Sequence, residues 1–153
     1  MYYPVNYTLI SGFGNDKTQL VSFDKALFFA GVANYNLVKV SSILPPNCEN
    51  LSIITAKPGS IIYSAYATLS SNTSGKISSA VGVGIPKRSS DIGVIMEFSC
   101  NDKAEISKHN VEEMIKEAMS LREIGIHEIK TTSIEADVAN DIYTTVISAI
   151  MMW

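Results

Sequence analysis

Only two stretches of this chain repeat with helical period, and they stand far apart among runs that alternate. The first begins at Asp16: Leu20, Phe23, Ala26 and Leu27 share one helical face, and Gly31 is placed to stop it. The second begins at Asp102. There Asp102 and Glu105 have the spacing of a capping box, and Val111, Met114, Ala118 and Leu121 recur every three or four residues until Gly125. The rest reads as strands. Residues 6–12 are β-branched and aromatic and end at Gly12 and Gly14, and residues 36–43 alternate until Pro45-Pro46 halts them. Residues 61–69 and 76–85 are apolar strands on either side of a polar turn or short loop, 70–75, and residues 92–98 form a nearly continuous buried-strand pattern. Ile134, Ala136 and Val138 then lead through a hairpin turn at Asn140-Asp141 into a last strand, 142–152. This order lacks the regular βαβ alternation of a doubly wound sheet, so it specifies a mixed, layered α+β sandwich. No internal repeat or linker divides the 153 residues, which make a single domain, 1–153, with a core of its own.

Composition narrows the partners. The hydrophobic fraction of 46% is high, and apolar surface in excess of one core's needs goes into subunit contacts, so an oligomer is expected. With 18% charged residues and a net charge of −3, no basic stripe is available to neutralise nucleic-acid phosphates. Met1 to Asn6 carry no positive charge and no long apolar run, which argues against a cleaved signal peptide and for a cytoplasmic protein. The apolar tail Val146 to Trp153 is far short of a membrane span. Cys48 and Cys100 are expected reduced, and His109 and His127, isolated from each other and from both cysteines, are expected in structural or surface roles with no metal.

The common catalytic signatures are absent: no phosphate-cradling glycine loop, no Gly-x-Ser-x-Gly elbow, no His-Glu-x-x-His. Gly82-x-Gly84 lies on a strand and reads as close backbone packing. The serine pairs at 70–71, 78–79 and 89–90 read as solvated or turn-forming. Ser41-Ser42 differs in its setting. Apolar residues precede it and two prolines follow, holding the backbone stiff where it leaves a strand, and a strained peptide there would suit attack by Ser42 Oγ on the preceding carbonyl. Glu97 lies within the apolar run 93–98 and has two readings. It faces solvent, or it points inward, where desolvation would keep it protonated and make it a general acid.

Four stretches carry a family likeness: Phe23-Asp24-Lys25-Ala26-Leu27; Ala30-Gly31-Val32-Ala33-Asn34-Tyr35-Asn36-Leu37; Ser41-Ser42-Ile43-Leu44-Pro45-Pro46; and Gly84-Ile85-Pro86-Lys87 with Gly93-Val94-Ile95-Met96-Glu97. Together they resemble the archaeal-type pyruvoyl-dependent arginine decarboxylases, over most of the chain. One departure is Ala33, where the family tends to have a glycine that lines the substrate pocket.

The resemblance implies a four-layer αββα sandwich and self-cleavage into residues 1–41 and 42–153. Ser42 Oγ attacks the Ser41 carbonyl, the resulting ester undergoes β-elimination, and loss of ammonia leaves a covalently bound pyruvoyl group at position 42. Arginine then forms a Schiff base with that group's ketone and loses CO₂ to give agmatine. By the same resemblance Glu97 returns the proton, and Asn36 lies near the pyruvoyl group and the processing site. Asp24, at the rim of the face formed by Leu20, Phe23 and Leu27, pairs with the guanidinium, and Ala33 and Ile43 line the substrate pocket. Relatives form trimers with active sites between neighbours. Lysine or ornithine as substrate, and an uncleaved structural or regulatory paralogue, remain the alternatives.

Overall fold

The computed structural model describes all residues, Met1–Trp153. Nine strands and two helices follow the chain order β1 (Asn6–Asp16), α1 (Gln19–Phe29), β2 (Asn36–Lys39), β3 (Ile43–Leu44), β4 (Glu49–Asn50), β5 (Ile61–Ser71), β6 (Gly75–Pro86), β7 (Gly93–Cys100), α2 (Ala104–Leu121), β8 (Ile126–Val138) and β9 (Tyr143–Met152). They build two sheets, β2-β5-β9-β1-β4 and β3-β7-β6-β8, each mixing long antiparallel pairs with shorter neighbours. The α+β sandwich read from the sequence is what the chain adopts.

Three apolar interfaces define the layers. Tyr7, Ala65, Ile150 and Met152 of the first sheet pack against Val81, Val83 and Ile95 of the second, which places the central core between the sheets. Ala26 and Leu27 of α1 cover the far face of the first sheet through Ile62, Ile147 and Met151. Val111, Ile115 and Met119 of α2 cover the second sheet through Ala80 and Val94. The result is helix, sheet, sheet, helix. Alternation along β7 follows directly: Ile95 faces the first sheet while Val94 faces α2.

Helix α1 starts at Thr18, whose Oγ1 accepts the Val21 N–H at 3.4 Å, and stops before Gly31 at φ +77°. Ala26 and Leu27 are buried and Phe23 packs on the same core, as the pattern has it, with Ser22 beside them; only Leu20 departs, at 78% exposed. Gly12 and Gly14 do not end β1, which runs on to Asp16. They let α1 approach: a Cβ on Gly14 would lie 2.5 Å from Ser22 O and 2.6 Å from the Ala26 nitrogen. Backbone on the far side cannot give as a side chain can. Gly14→Ala should therefore lower stability by about 1–3 kcal/mol, the usual cost of overpacking, measurable as a lower denaturant midpoint with an unchanged m-value.

Helix α2 also departs from its sequence pattern. Lys103 is the N-cap and makes no side-chain cap bond. The free N–H of Ala104 is taken by Glu135 Oε2 of β8 at 2.7 Å, so a tertiary carboxylate does the work assigned to the Asp102–Glu105 box. Leu121 is exposed, and Ile115 and Met119 hold the positions facing the sheet. The Gly82–Gly84 reading holds. A Cβ at these residues would meet Val111 Cγ1 at 2.8 Å and Ile115 Cγ2 at 2.7 Å, so the glycines seat α2 on β6.

Three connections that look local in the sequence all cross between the sheets. Residues 36–43 are not one strand, because β2 pairs with β5 in the first sheet and β3 pairs with β7 in the second. Asn140-Asp141 is not a hairpin turn, because β8 and β9 belong to different sheets. The polar run before β6 is a short loop, as expected, and it passes from β5 in the first sheet to β6 in the second. Ser78 and Ser79, read as solvated, are fully buried mid-strand: Ser78 Oγ meets Ser107 Oγ at 2.7 Å, and Ser79 Oγ meets Ser148 Oγ at 2.9 Å across the sandwich.

Candidate active site

The serine pair is the bridge between the sheets. Lys39 ends β2, Ile43 begins β3, and Val40-Ser41-Ser42 cross from one sheet to the other. The crossing is tied down at both ends. Val40 N–H donates to Ser64 O of β5 at 3.0 Å, and Ser42 O accepts the Ile95 N–H of β7 at 2.7 Å. Between those two bonds lies the Ser41–Ser42 peptide, with Ser41 exposed and Ser42 half-buried. A bond flanked on each side by a hydrogen bond to a different sheet has little freedom to move, its backbone shows no positive φ or cis bond, and the exposed Ser41 side gives water access.

Glu97 stands two residues beyond Ile95 on β7, on the same face of the strand, opposite Val81 in the register with β6. It therefore points toward the space between the sheets, and the inward reading of this residue is the one the fold adopts. Its side chain keeps 26% exposure and lies 3.5 Å from Lys39 Nζ, a pair that spans the two sheets directly beside the serine crossing. Burial pushes the Glu97 carboxyl above the ordinary glutamate range, and the Lys39 ammonium pulls it back only in part. Lys39 is held in turn by β5: its Nζ donates to Tyr66 O at 3.0 Å and sits 4.7 Å from the centre of the Tyr66 ring. Nothing in the pattern of residues 36–43 singled out Lys39. Its role depends on β2 and β7 facing each other from separate sheets, and local periodicity does not encode that.

A cavity of about 420 Å³ abuts the crossing, lined by Val40, Ile43 and Pro45 with Tyr2, Tyr63 and Met152. Tyr2 stacks on Tyr63 with ring centroids 5.2 Å apart. Ile43 thus borders an apolar space next to Ser42. A second cavity, of about 260 Å³, opens beside Tyr7, Leu44, Cys48, Lys87 and His127 and holds none of the residues read as functional. Burial raises the Cys48 thiol to about 11, and Cys48 and Cys100 are both free. No three His, Cys, Asp or Glu side chains stand close enough together to hold a metal ion.

The remaining sequence-predicted residues are not joined to the serine crossing by any hydrogen bond within one chain. Asn36 Nδ2 donates to Gly59 O at 2.9 Å in the turn before β5. Ala33 packs on the core beneath α1. Asp24 is exposed on α1 with no ion-pair partner, one turn from Leu20 and one from Phe28, both 78% exposed. The acid thus stands between two bare apolar side chains on the outer face of α1.

Comparison with known proteins shows the family. The family model described as pyruvoyl-dependent arginine decarboxylase matches residues 6–153. The chain is similar to the pyruvoyl-dependent arginine decarboxylase of Methanococcus aeolicus, at 36% identity over 138 residues, covering 90% of this chain and 84% of the relative. It is similar also to that of Methanopyrus kandleri, at 33% identity over 154 residues, covering 98% and 97% of the two chains.

Proposed function

The chain belongs to the pyruvoyl-dependent arginine decarboxylase family, and from that premise we propose that it converts L-arginine to agmatine and CO₂ with a pyruvoyl group made from its own Ser42. The observation that carries the reading is the clamped crossing, where the Ser41–Ser42 peptide is fixed to β5 through Val40 and to β7 through Ser42, beside an inward carboxyl.

Maturation needs only the chain and water. Ser42 Oγ attacks the Ser41 carbonyl carbon, the Ser41–Ser42 peptide bond breaks, and the acyl group passes to oxygen as an ester. Removal of the proton from Cα of residue 42 expels the Ser41 carboxylate and leaves a Cα=Cβ double bond. Tautomerisation to the imine, addition of water and loss of ammonia give the ketone. Residues 1–41 and 42–153 remain as two chains. The Ile95 N–H keeps its acceptor throughout, because the carbonyl of residue 42 survives these steps.

When present, a pyruvoyl group supplies an electrophilic carbonyl that holds the substrate amine and accepts the electrons released with CO₂. The protein's part is to orient and to move a proton. Glu97, raised by burial, keeps its proton to higher pH than a free glutamate and is suited to return it to the substrate α-carbon. Ile43 offers apolar wall to the substrate's methylenes, with Ala33 farther out, and Asn36 orders the approach to the crossing from β2. Asp24 receives the guanidinium, whose planar fork suits a bidentate carboxylate. Asp24 is exposed in the single chain among Leu20 and Phe28, so this reading makes the site one shared between subunits, with a homotrimer as the assembly. No helix is long and apolar enough to cross a membrane, and a cytoplasmic enzyme goes with the reading.

The test is substrate choice. Wild type should release CO₂ from arginine with a higher kcat/KM than from lysine, ornithine or a neutral analogue. Asp24→Asn should mature normally and lose about 10- to 100-fold in kcat/KM for arginine, mainly through KM, the worth of a charge-assisted hydrogen bond. Wild-type preference for lysine or ornithine would overturn the arginine assignment. Unchanged selectivity in Asp24→Asn would remove Asp24 from the site.

A further inference from the structure

Lys39 and Glu97 form an ion pair whose two halves are destined for different fragments. Lys39 lies in residues 1–41 and Glu97 in residues 42–153, and the proposed cut falls two residues after Lys39. The inference therefore rests on the self-cleavage reading. Before the cut, position 41 contributes a neutral peptide carbonyl. Afterwards it contributes a carboxylate, at a free and exposed chain end.

We propose that Lys39 is a maturation switch: in the uncut chain it holds the Glu97 carboxylate, and after the cut it turns to the new carboxylate of Ser41 and leaves Glu97 free to carry a proton.

Several features favour the exchange. Lys39 and the new carboxylate are two residues apart, a reach of roughly 7 Å even for a fully extended chain, within the span of a lysine stem. Lys39 is 54% exposed at its side chain, so its head can swing without unpacking the core. Its contact with Glu97 is a long 3.5 Å, beyond the usual range of a charge-assisted bond, and part-exposed pairs of this kind are weak. The Ser41 carboxylate keeps its hydration while it binds Lys39, whereas Glu97 must remain half-buried to do so. Competition for one ammonium thus goes to the solvated newcomer. Lys39 is the only charged group acting on Glu97: Tyr66, the titratable neighbour on β5, meets Lys39 through its ring and carbonyl, and β6 presents the apolar Val81. Once Lys39 turns away, burial alone governs the carboxyl, and burial favours the protonated form. The uncut chain would hold its acid discharged, and the act that makes the cofactor would charge it.

The measurement is a ¹³C NMR titration of the side-chain carboxyls, with the Glu97 signal assigned by its loss in Glu97→Gln. It is made on processed wild type and on the full-length Ser42→Ala chain. The Glu97 midpoint should lie higher in the processed protein. Lys39→Met, introduced into both, should raise the midpoint in the full-length chain and leave the two forms alike. Lys39→Arg should restore the difference, which guards against a merely structural effect of the methionine. Equal midpoints in processed and full-length Lys39 proteins would overturn the switch while the cleavage reading stands, since mass spectrometry reports cleavage separately. A difference that persists in Lys39→Met would overturn it too, by placing the cause elsewhere. Failure of wild type to cleave overturns the self-cleavage reading itself.

Discussion

Replacing Ser42 with alanine should leave a single chain of full length, whereas wild type should resolve by intact mass into residues 1–41 and 42–153. The expected loss is complete, because the hydroxyl supplies both the nucleophile and the oxygen of the leaving carboxylate, and no other group on residue 42 can replace it. The second fragment should have a blocked amino terminus that reacts with carbonyl reagents. Ser41→Ala is the instructive control. Position 41 contributes only its carbonyl to the acyl shift, so that variant should still cut. The clamp predicts that both variants fold: Val40 N–H to Ser64 O and Ile95 N–H to Ser42 O are backbone bonds that neither substitution touches. A cleaved Ser42→Ala chain would eliminate Ser42 as the nucleophile.

The second large effect is expected at Glu97. Glu97→Gln preserves shape and much of the hydrogen bonding but has no proton to give to carbon. It should cleave normally and lose about 10²–10⁴-fold in kcat, the usual worth of a positioned acid. The wild-type pH profile carries a related signature. A carboxyl raised by burial keeps its proton to higher pH than a free glutamate, so the alkaline limb that depends on Glu97 should lie above the ordinary carboxylate range. The sign of the stability effect follows. The folded chain binds this proton more tightly than the unfolded one, so stability is greatest below the ordinary glutamate value and falls as pH rises through the raised one. Glu97→Gln should remove that part of the fall. Near-normal kcat in the variant would return Glu97 to a surface role.

What the residues announced, and what they withheld, divides along one line. Periodicity reports which side of a strand or helix is apolar, and it located both helices and most long strands to within a few residues, but of β8, which begins at Ile126, it showed only the end from Ile134. Periodicity does not report which sheet a strand joins. Residues 36–43 alternate without a break, yet the first half pairs with Ile61–Ser64 and the second with Gly93–Val94, because partners are chosen by surfaces far away in the chain. The turn at Asn140-Asp141 misled for the same reason. Ser78 and Ser79 misled because small hydroxyls can be satisfied inside a sandwich when a serine on another element faces them, and local composition cannot reveal that. The helix faces of Leu20 and Leu121 were assigned from apolar character, but apolar character does not separate a core contact from a surface left bare. Ser41-Ser42 and Glu97 were legible as oddities of setting, whereas Lys39 became visible only once the sheets were seen face to face.

The position of β1 has one last consequence. It runs antiparallel to β9 from Tyr7–Met152 to Asp16–Tyr143 and also borders β4, so it is an interior strand of its sheet. A cut after Ser41 therefore separates the chain without separating the fold, since the first fragment remains laced through the second. Refolding changes molecularity, however. Before the cut, β1 finds β9 by closing a loop, a search confined to one molecule. After it, the same pairing is an encounter between two solutes and slows in proportion to dilution. The intact precursor is thus the form that can assemble this sandwich efficiently, and the matured enzyme, once unfolded at low concentration, has lost the connection that first brought its central strands together.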